Sequence, residues 1–270
     1  MPFDVDARIL SNHHLSPDYN VLALEAPVVA ERVEPGQFVM IRTADGQDPL
    51  LRRPFSVFEI LRGDAGRPTG FTVLCKRVGV GTTRLYGATP GQVLSCLGPL
   101  GRPFTLVDPP HEAWMVAGGV GLAPFATLAE GLRDRGCRLT LFYGARTSTD
   151  LFALDLFERL GVRLVLATED GTRGTHGRVT APLAAALDDA APDLPVMLYA
   201  CGPEPMLAAV AGLAAQVGRP SELATERTMG CGMGGCFSCV VRVKSADGGT
   251  RYVRSCLEGP VFRGDDLVWE

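Results

Sequence analysis

The chain has 270 residues and a net charge of −4, with 46% hydrophobic and 21% charged residues. That length allows about two domains with a buried core, and the acidic balance provides no clustered Lys and Arg footprint for nucleic acid or an anionic membrane. Its 32 glycines and 20 prolines stay below the level of low-complexity chains.

The start, "MPFDVDARIL", lacks a charged-then-apolar leader, so the chain is expected to stay in the cytoplasm. From Val5 to about Leu100, β runs such as "VLALEA", "QFVMIRT", "PFSVFEIL", "FTVLCKRV" and "QVLSCL" alternate with Pro-Asp, Pro-Gly, Asp-Gly and Gly-Arg-Pro turns. Closely spaced strands with that punctuation predict a small antiparallel barrel or sandwich. Within it lies "RRPFS", followed by "LCKRVGVGT". Arg53 beside a strand end suits a pyrophosphate, the Ser56 hydroxyl suits a flavin ring heteroatom, and Gly81 and Thr82 open a helix whose amides suit phosphate. Each piece taken singly also reads as hairpin and turn chemistry.

"PFTLVDPPHE" reads as a linker, with a boundary near Pro109, because its prolines suppress regular pairing. Beyond it, apolar runs ("AWMVAGG", "RLTLFYGA", "VRLVLAT", "PVMLYACG") alternate with segments of helical spacing such as "DLFALDLFERLG". Alternating β and α units predict a parallel sheet with helices on both faces and ligands at the carboxyl ends of its strands. That rule selects "GGVG", "YGAR", "TEDG" and "CGPEPM". "AGGVGLAPF" is not G-x-G-x-x-G, yet Gly118, Gly119 and Gly121 permit close backbone approach, and Pro124 suits a helix start. Cys201 and Gly202 leave room for a nicotinamide ring over a flavin; a packing turn and a plain buried thiol are the alternatives.

The stretch Ala113 to Ala129 is free of charge, but its glycines and proline read as strand, turn and helix start rather than a membrane span. His13, His14, His111 and His176 show no metal spacing. Glu169 and Asp170 read as a turn, and Cys75, Cys96 and Cys137 as small buried residues. Arg146 and its neighbouring hydroxyls, with no acid directly after the strand, leave the choice between NAD and NADP open.

From about Ser221 the chain becomes rich in Gly and Cys, then shows "CVVRVKS", a "DGG" turn and "TRYVRSC". Cys231, Cys236, Cys239 and Cys256 form C-x4-C-x2-C with a fourth Cys further on, the spacing that holds a plant-type [2Fe–2S] cluster. Gly232, Gly234 and Gly235 tolerate the positive φ that a loop curled around a cluster demands. A structural zinc site is the alternative, although it usually uses two C-x2-C pairs and only one is present. A disulfide framework is not expected in a reducing compartment.

The order "RRPFS", "GVGT", "AGGVGLAPF", "CGPEPM" resembles the ferredoxin–NADP reductase superfamily, and "ERTMGCGMGGCFSC" with "YVRSCLEGPVF" is similar to electron-transfer subunits of NAD-dependent, B-type dihydroorotate dehydrogenases. The resemblance runs from about Val5 to the last residues. It implies an FAD-binding β-barrel over 1–105, a doubly wound parallel-sheet NAD-binding domain over 106–220 and a small [2Fe–2S] lobe over 221–270. It implies FAD contacts at Arg53, Pro54, Phe55, Ser56, Leu74, Cys75, Lys76, Gly81 and Thr82, and cluster ligation by Cys231, Cys236, Cys239 and Cys256. Relatives often carry an aromatic residue where Cys75 stands. Electrons are expected to pass from the FMN of a dihydroorotate-oxidising partner through the cluster and FAD to NAD+, within a heterotetramer of two plus two. No residue of this chain is expected to oxidise dihydroorotate itself. Subunits of hydrogenase, sulfide dehydrogenase or ferredoxin-linked transhydrogenase complexes share these motifs, and a non-catalytic zinc-stapled protein is the rival from another class.

Overall fold

A computed structural model describes residues 1–44, 46 and 48–269. Six strands, β1 (Phe3–Ser16), β2 (Tyr19–Glu25), β3 (Phe38–Ile41), β4 (Arg53–Arg62), β5 (Pro68–Lys76) and β6 (Val93–Leu100), close into an antiparallel barrel in the order β1-β2-β5-β4-β3-β6. Alternate residues turn inward, among them Leu22, Leu24, Val39, Ile41, Phe71 and Val73. Two short helices, α1 (Pro27–Ala30) and α2 (Val80–Tyr86), add Val29 and Leu85 to that core. Strand β1 is not among the runs read from the sequence. Of its 14 residues only Ala7 and Ile9 are buried, so it shows too few apolar positions to declare itself.

Strands β4 and β5 do not stay together. They pair as far as Val57 opposite Val73. Beyond that point Arg53–Ser56 pair with β3, and Leu74–Lys76 pair with β2. The facing edges of these two segments therefore leave backbone donors and acceptors that the ladder does not use.

The second body is a seven-stranded sheet of β7 (Glu112–Gly118), β8 (Arg138–Ala145), β9 (Arg163–Thr168), β10 (Thr175–His176), β11 (Val196–Cys201), β12 (Ser221–Ala224) and β15 (Val261–Arg263). Its order is β10-β9-β8-β7-β11-β12-β15, and every neighbour pair is parallel except β12 with β15. The chain starts in the middle and winds to both sides, which makes the sheet doubly wound. Alternation gives it two apolar faces. Met115, Leu141 and Tyr199 pack on one side with α3 (Phe125–Asp134) and α4 (Leu154–Arg159). Val116, Phe142 and Leu198 pack on the other with α5 (Thr180–Asp189) and α6 (Glu204–Gln216).

Between β12 and β15 the chain makes the cysteine loop, the hairpin of β13 (Val240–Lys244) and β14 (Thr250–Arg254), and α7 (Ser255–Glu258). The stretch 221–270 thus enters and leaves through strands of the large sheet. Among the described residues no helix is long and apolar enough to cross a membrane.

Barrel and sheet share one core. Phe58 and Leu74 of the barrel join Phe125 and Leu151 in it, and the rings of Tyr19 and Phe152 meet at 4.7 Å. Glu59, half-buried beside this contact, faces Glu130 of α3 and Asp155 and Arg159 of α4. Burial and then the Glu130 charge raise its carboxyl above the ordinary 4.5, while Arg159 opposes them. A carboxyl whose folded pKa is raised binds its proton more tightly in the native state, so its contribution to stability falls as pH rises above 4.5. The Glu59→Gln variant should therefore melt above the wild type at pH 7, with the difference closing near pH 4, as measured by thermal unfolding across that range.

Candidate functional site

The parted strands meet α2 at the rim of the barrel. A methyl group on Gly81 would lie 3.1 Å from Thr43 Oγ1 and 3.5 Å from Arg53 Cγ, so Thr43, Arg53 and the start of α2 form one cluster. Thr43 is 5% exposed, and its hydroxyl has no hydrogen-bond partner. A buried hydroxyl left unpaired costs about 1–3 kcal/mol, which a polar ligand seated here relieves. Arg53 donates through Nη1 to the carbonyls of Leu51 (2.8 Å) and Arg52 (3.3 Å). Among the described residues its other donors form no bond. Thr82 is committed differently: its hydroxyl oxygen accepts the amides of Val78 (2.9 Å) and Gly79 (3.1 Å). Thr82 therefore offers a ligand its amide, not its side chain.

Along β5 the alternation separates three adjacent residues that the sequence reading groups together. Leu74 joins the core shared with the sheet, and Cys75 points into the barrel. Lys76 is exposed, with its ammonium 5.5 Å from the Tyr19 ring. Burial pushes the Cys75 thiol up to about 12, and only the backbone of this residue is left to the cleft. On β4, Phe55 packs partly into the barrel core, whereas Ser56 takes the opposite face. An open edge on each strand, spare guanidinium donors and an orphaned hydroxyl suit a dinucleotide flavin.

At the carboxyl ends of β7 and β11 the glycines pack against one another. A methyl group on Gly121 would run into the carbonyl of Cys201, and one on Gly118 would lie 2.8 Å from Met206 Sδ. Gly202 is equally tight against Gly118. These glycines bring the two loops together, and Gly119, at φ +55, faces the barrel: a methyl group added there would lie 3.9 Å from the Tyr19 hydroxyl. Cys201 is buried, and burial raises its thiol well above the ordinary 9.0. Asp170 accepts from the amide and hydroxyl of Thr172, which is the turn expected at "TEDG".

The cysteine loop lies on the outer face of the barrel. Cys239 and Cys256 are buried with Phe38, Met40, Leu97 and Leu100, whereas Cys231 is half-buried and Cys236 exposed. Among the described residues no three Cys, His, Asp or Glu side chains already form a closed metal cage. The thiols stand instead as two pairs, Cys231 with Cys236 and Cys239 with Cys256, and the second pair lies close enough to feel the first. Four thiols, three of them in C-x4-C-x2-C spacing, suit a [2Fe–2S] cluster, whereas structural zinc usually uses two C-x2-C pairs. The amides of Met233 (3.3 Å) and Gly235 (3.2 Å) donate to Cys231 Sγ, and Ser238 Oγ lies 3.2 Å from Cys236 Sγ. Bonds from Ser238 and then Cys231 hold the Cys236 thiol down to about 6, and burial followed by Cys239 pushes Cys256 up to about 12.

Against known proteins, residues 226–268 match the iron–sulfur cluster binding domain of dihydroorotate dehydrogenase B, and residues 115–212 match an oxidoreductase NAD-binding domain. The dihydroorotate dehydrogenase B (NAD(+)) electron transfer subunit of Desulforamulus reducens is 36% identical over 266 residues, covering 98% of each chain. That of Geobacillus kaustophilus is 39% identical over 249 residues, covering 92% of this chain and 91% of the relative. The chain belongs to the family of dihydroorotate dehydrogenase B electron-transfer subunits. Among solved structures, an NADH-dependent reduced ferredoxin-NADP oxidoreductase aligns with a TM-score of 0.84 at 28% identity, over 97% of this chain and 90% of that one. A ferredoxin NADP+ reductase from Neisseria gonorrhoeae, solved with FAD and NADP bound, shares the fold at a TM-score of 0.66 and 19% identity, over 80% of this chain and 92% of that one.

Sequence reasoning missed Thr43, which belongs to no motif. Thr43 follows an apolar strand like any turn threonine, and only its orphaned hydroxyl marks it.

The cysteine loop depends on Gly232, which holds φ +72 and whose added methyl would lie 2.6 Å from Met40 Cγ. Gly232→Ala combines backbone strain with overpacking, each worth about 1–3 kcal/mol. It should lower both the thermal midpoint and the iron bound per chain, measured by calorimetry and iron analysis of anaerobic protein.

Proposed function

We propose that this chain relays electrons from the FMN of a dihydroorotate-oxidising subunit to NAD+, as a step in making pyrimidines, with two copies of each subunit in the assembly. The observation that carries the reading is the placement of two cysteine pairs on the barrel strand that borders "RRPFS". Met40 of β3 packs under the cysteine loop while its backbone pairs with Pro54.

In this reading Cys231, Cys236, Cys239 and Cys256 hold a [2Fe–2S] cluster. The guanidinium of Arg53 and the amides of Gly81 and Thr82 hold the pyrophosphate of FAD. The backbones of Pro54 and Phe55, the Ser56 hydroxyl and the free edge of Leu74, Cys75 and Lys76 orient its ring. Gly118, Gly119, Gly121, Cys201 and Gly202 receive the nicotinamide. When bound, the flavin exchanges the single electrons of an iron–sulfur centre for the hydride that NAD+ accepts. The protein supplies position and dryness: the core shared by Phe58, Leu74, Phe125 and Leu151 keeps barrel and sheet together beside the cleft. No residue of this chain acts on dihydroorotate. The division proposed is 1–105, 106–220 and 221–270, the last contributing β12 and β15 to the large sheet.

Met233 and Phe237 on the cysteine loop are 58% and 62% exposed, and Arg254 stacks 4.6 Å from the Phe237 ring. Exposed apolar side chains beside a one-electron centre support docking of the FMN-bearing subunit there. Eight free thiols support a reducing compartment, the cytoplasm. A ferredoxin-linked transhydrogenase subunit is the second reading, favoured by the TM-score of 0.84 to the NADH-dependent reduced ferredoxin-NADP oxidoreductase. The higher identity and coverage of the dihydroorotate dehydrogenase relatives outweigh it.

Anaerobic co-expression with an FMN-containing partner, followed by iron, FAD and FMN counts, tests the proposal. Orotate and NADH should form only when both chains are present, and failure of the pair to turn over dihydroorotate rejects it. Cys256→Ser should lose the cluster absorbance and stop electron flow from partner to NAD+, while FAD stays bound.

A further inference from the structure

The four thiols of the cysteine loop differ in what surrounds them. Cys239 and Cys256, each 2% exposed, are packed among Phe38, Met40, Leu97 and Leu100. Cys231 accepts the amides of Met233 and Gly235. Cys236 is met instead by a side chain. Ser238 Oγ lies 3.2 Å from its sulfur, and among the described residues this is the one hydroxyl bonded to a thiol of the loop.

The C-x2-C spacing asks nothing of position 238; the backbone before it is what places the hydroxyl. Phe237 holds φ +56, a left-handed conformation that a bulky side chain rarely adopts, and the turn it makes folds Ser238 back over Cys236. The amide of Gly230, at the start of the loop, donates to Ser238 Oγ at 2.9 Å. A methyl group on Gly230 would lie 3.2 Å from Cys236 Sγ and 3.4 Å from Ser238 Oγ, so the three groups stand together. Their contact fixes the direction of the bonds. The Gly230 amide occupies a lone pair of the hydroxyl oxygen and leaves the hydroxyl hydrogen to be donated onward. A cysteine that ligates a metal is a thiolate and only accepts. Donation therefore runs from Gly230 N–H to Ser238 O–H to Cys236 Sγ, each bond polarising the next.

We propose that the Ser238 hydroxyl raises the reduction potential of the iron–sulfur cluster through its hydrogen bond to Cys236. The inference rests on the cluster ligation proposed above. An electron taken up there adds one negative charge, which spreads onto the sulfur ligands, and a donor aimed at one sulfur stabilises the reduced form more than the oxidised form. No proton moves with it: the electron arrives from the partner and leaves to the flavin, and the hydroxyl keeps its hydrogen throughout. Without this bond, uptake of an electron from the partner becomes less favourable.

The test compares wild type, Ser238→Ala and Ser238→Thr as the full chain, purified anaerobically with iron and FAD counted. A redox titration followed by electron paramagnetic resonance reads the potential apart from turnover. In Ser238→Ala the equilibrium constant for one-electron reduction should fall about tenfold, equivalent to about 59 mV, while Ser238→Thr, which keeps the hydroxyl, should stay near wild type. Resonance Raman spectra should show the Fe–S(Cys) stretch at higher frequency in Ser238→Ala and unmoved in Ser238→Thr, because the lost bond no longer draws charge from the sulfur. An unmoved potential in Ser238→Ala at full iron content, an equal fall in both variants, or loss of iron from Ser238→Ala overturns the role. A wild-type chain that holds zinc in place of iron overturns the ligation and this inference with it. A wild-type pair that fails to turn over dihydroorotate, while Ser238→Ala still lowers the potential, rejects the relay and supports the role of Ser238.

Discussion

The packing of Gly232 against Met40 is the contact on which the arrangement turns. Met40 lies on β3 with its side chain outside the barrel, under the cysteine loop, while Val39 and Ile41 on either side point into the barrel core. The strand next to β3 carries Arg53–Ser56. One strand width therefore separates the loop of thiols from the edge that faces the cleft. Strands in a sheet lie about 4.8 Å apart, so the spacing is set by backbone hydrogen bonds rather than by flexible side chains. Only glycine adopts φ +72 there without cost and presents no methyl group to Met40.

The cleft arises where two neighbouring strands part. Strand β4 runs longer than its ladder with β5: its first residues pair with β3 on one edge and leave the other edge open. A closed barrel normally leaves no free edges, yet this one opens locally at Val57 and Val73. The open edges lie on the side that meets the carboxyl ends of the parallel strands, where ligands of doubly wound sheets sit. Two unrelated folds thus present their unsatisfied backbone to the same space. The close packing of Gly118, Gly121 and Gly202 keeps the loops low enough not to fill it.

Much of this was legible in the residue pattern, and the failures have physical causes. Alternating runs announced five of the barrel strands, but β1 did not show because its outward face is solvated along nearly its whole length. Apolar runs announced the parallel sheet, whereas "SELA" at β12 is too short and polar to read as a strand without its neighbours. Cysteine spacing announced the thiol loop, since ligand spacing along one loop is a local property. Cys75 reads from sequence as a small buried residue and is one, its side chain turned into the barrel core and away from the cleft by strand parity. Thr43 acquires its meaning only when the segment after β3 meets α2.

The last lobe is not a tethered appendage. Its chain leaves the sheet at Ala224 and returns at Val261, where β15 pairs antiparallel with β12 itself. Thr225 donates its amide to the Pro260 carbonyl at 2.9 Å, and Arg102, at the end of the barrel, donates its own to Gly259 at 2.6 Å. Both ends of the lobe are thus closed on the sheet, and its base is closed on the barrel. A lobe held in this way keeps its thiols at one distance from the cleft, so electron transfer within the chain needs no swinging arm. In the proposed relay the moving parts are left outside this path, in the docking of a partner on the exposed face and in the exchange of nicotinamide at the carboxyl ends of β7 and β11. The same closure explains why a small Cys-rich segment of about fifty residues holds its shape: isolated pieces of that size rarely bury enough apolar surface to fold unaided, and this one borrows its core from the two bodies it joins.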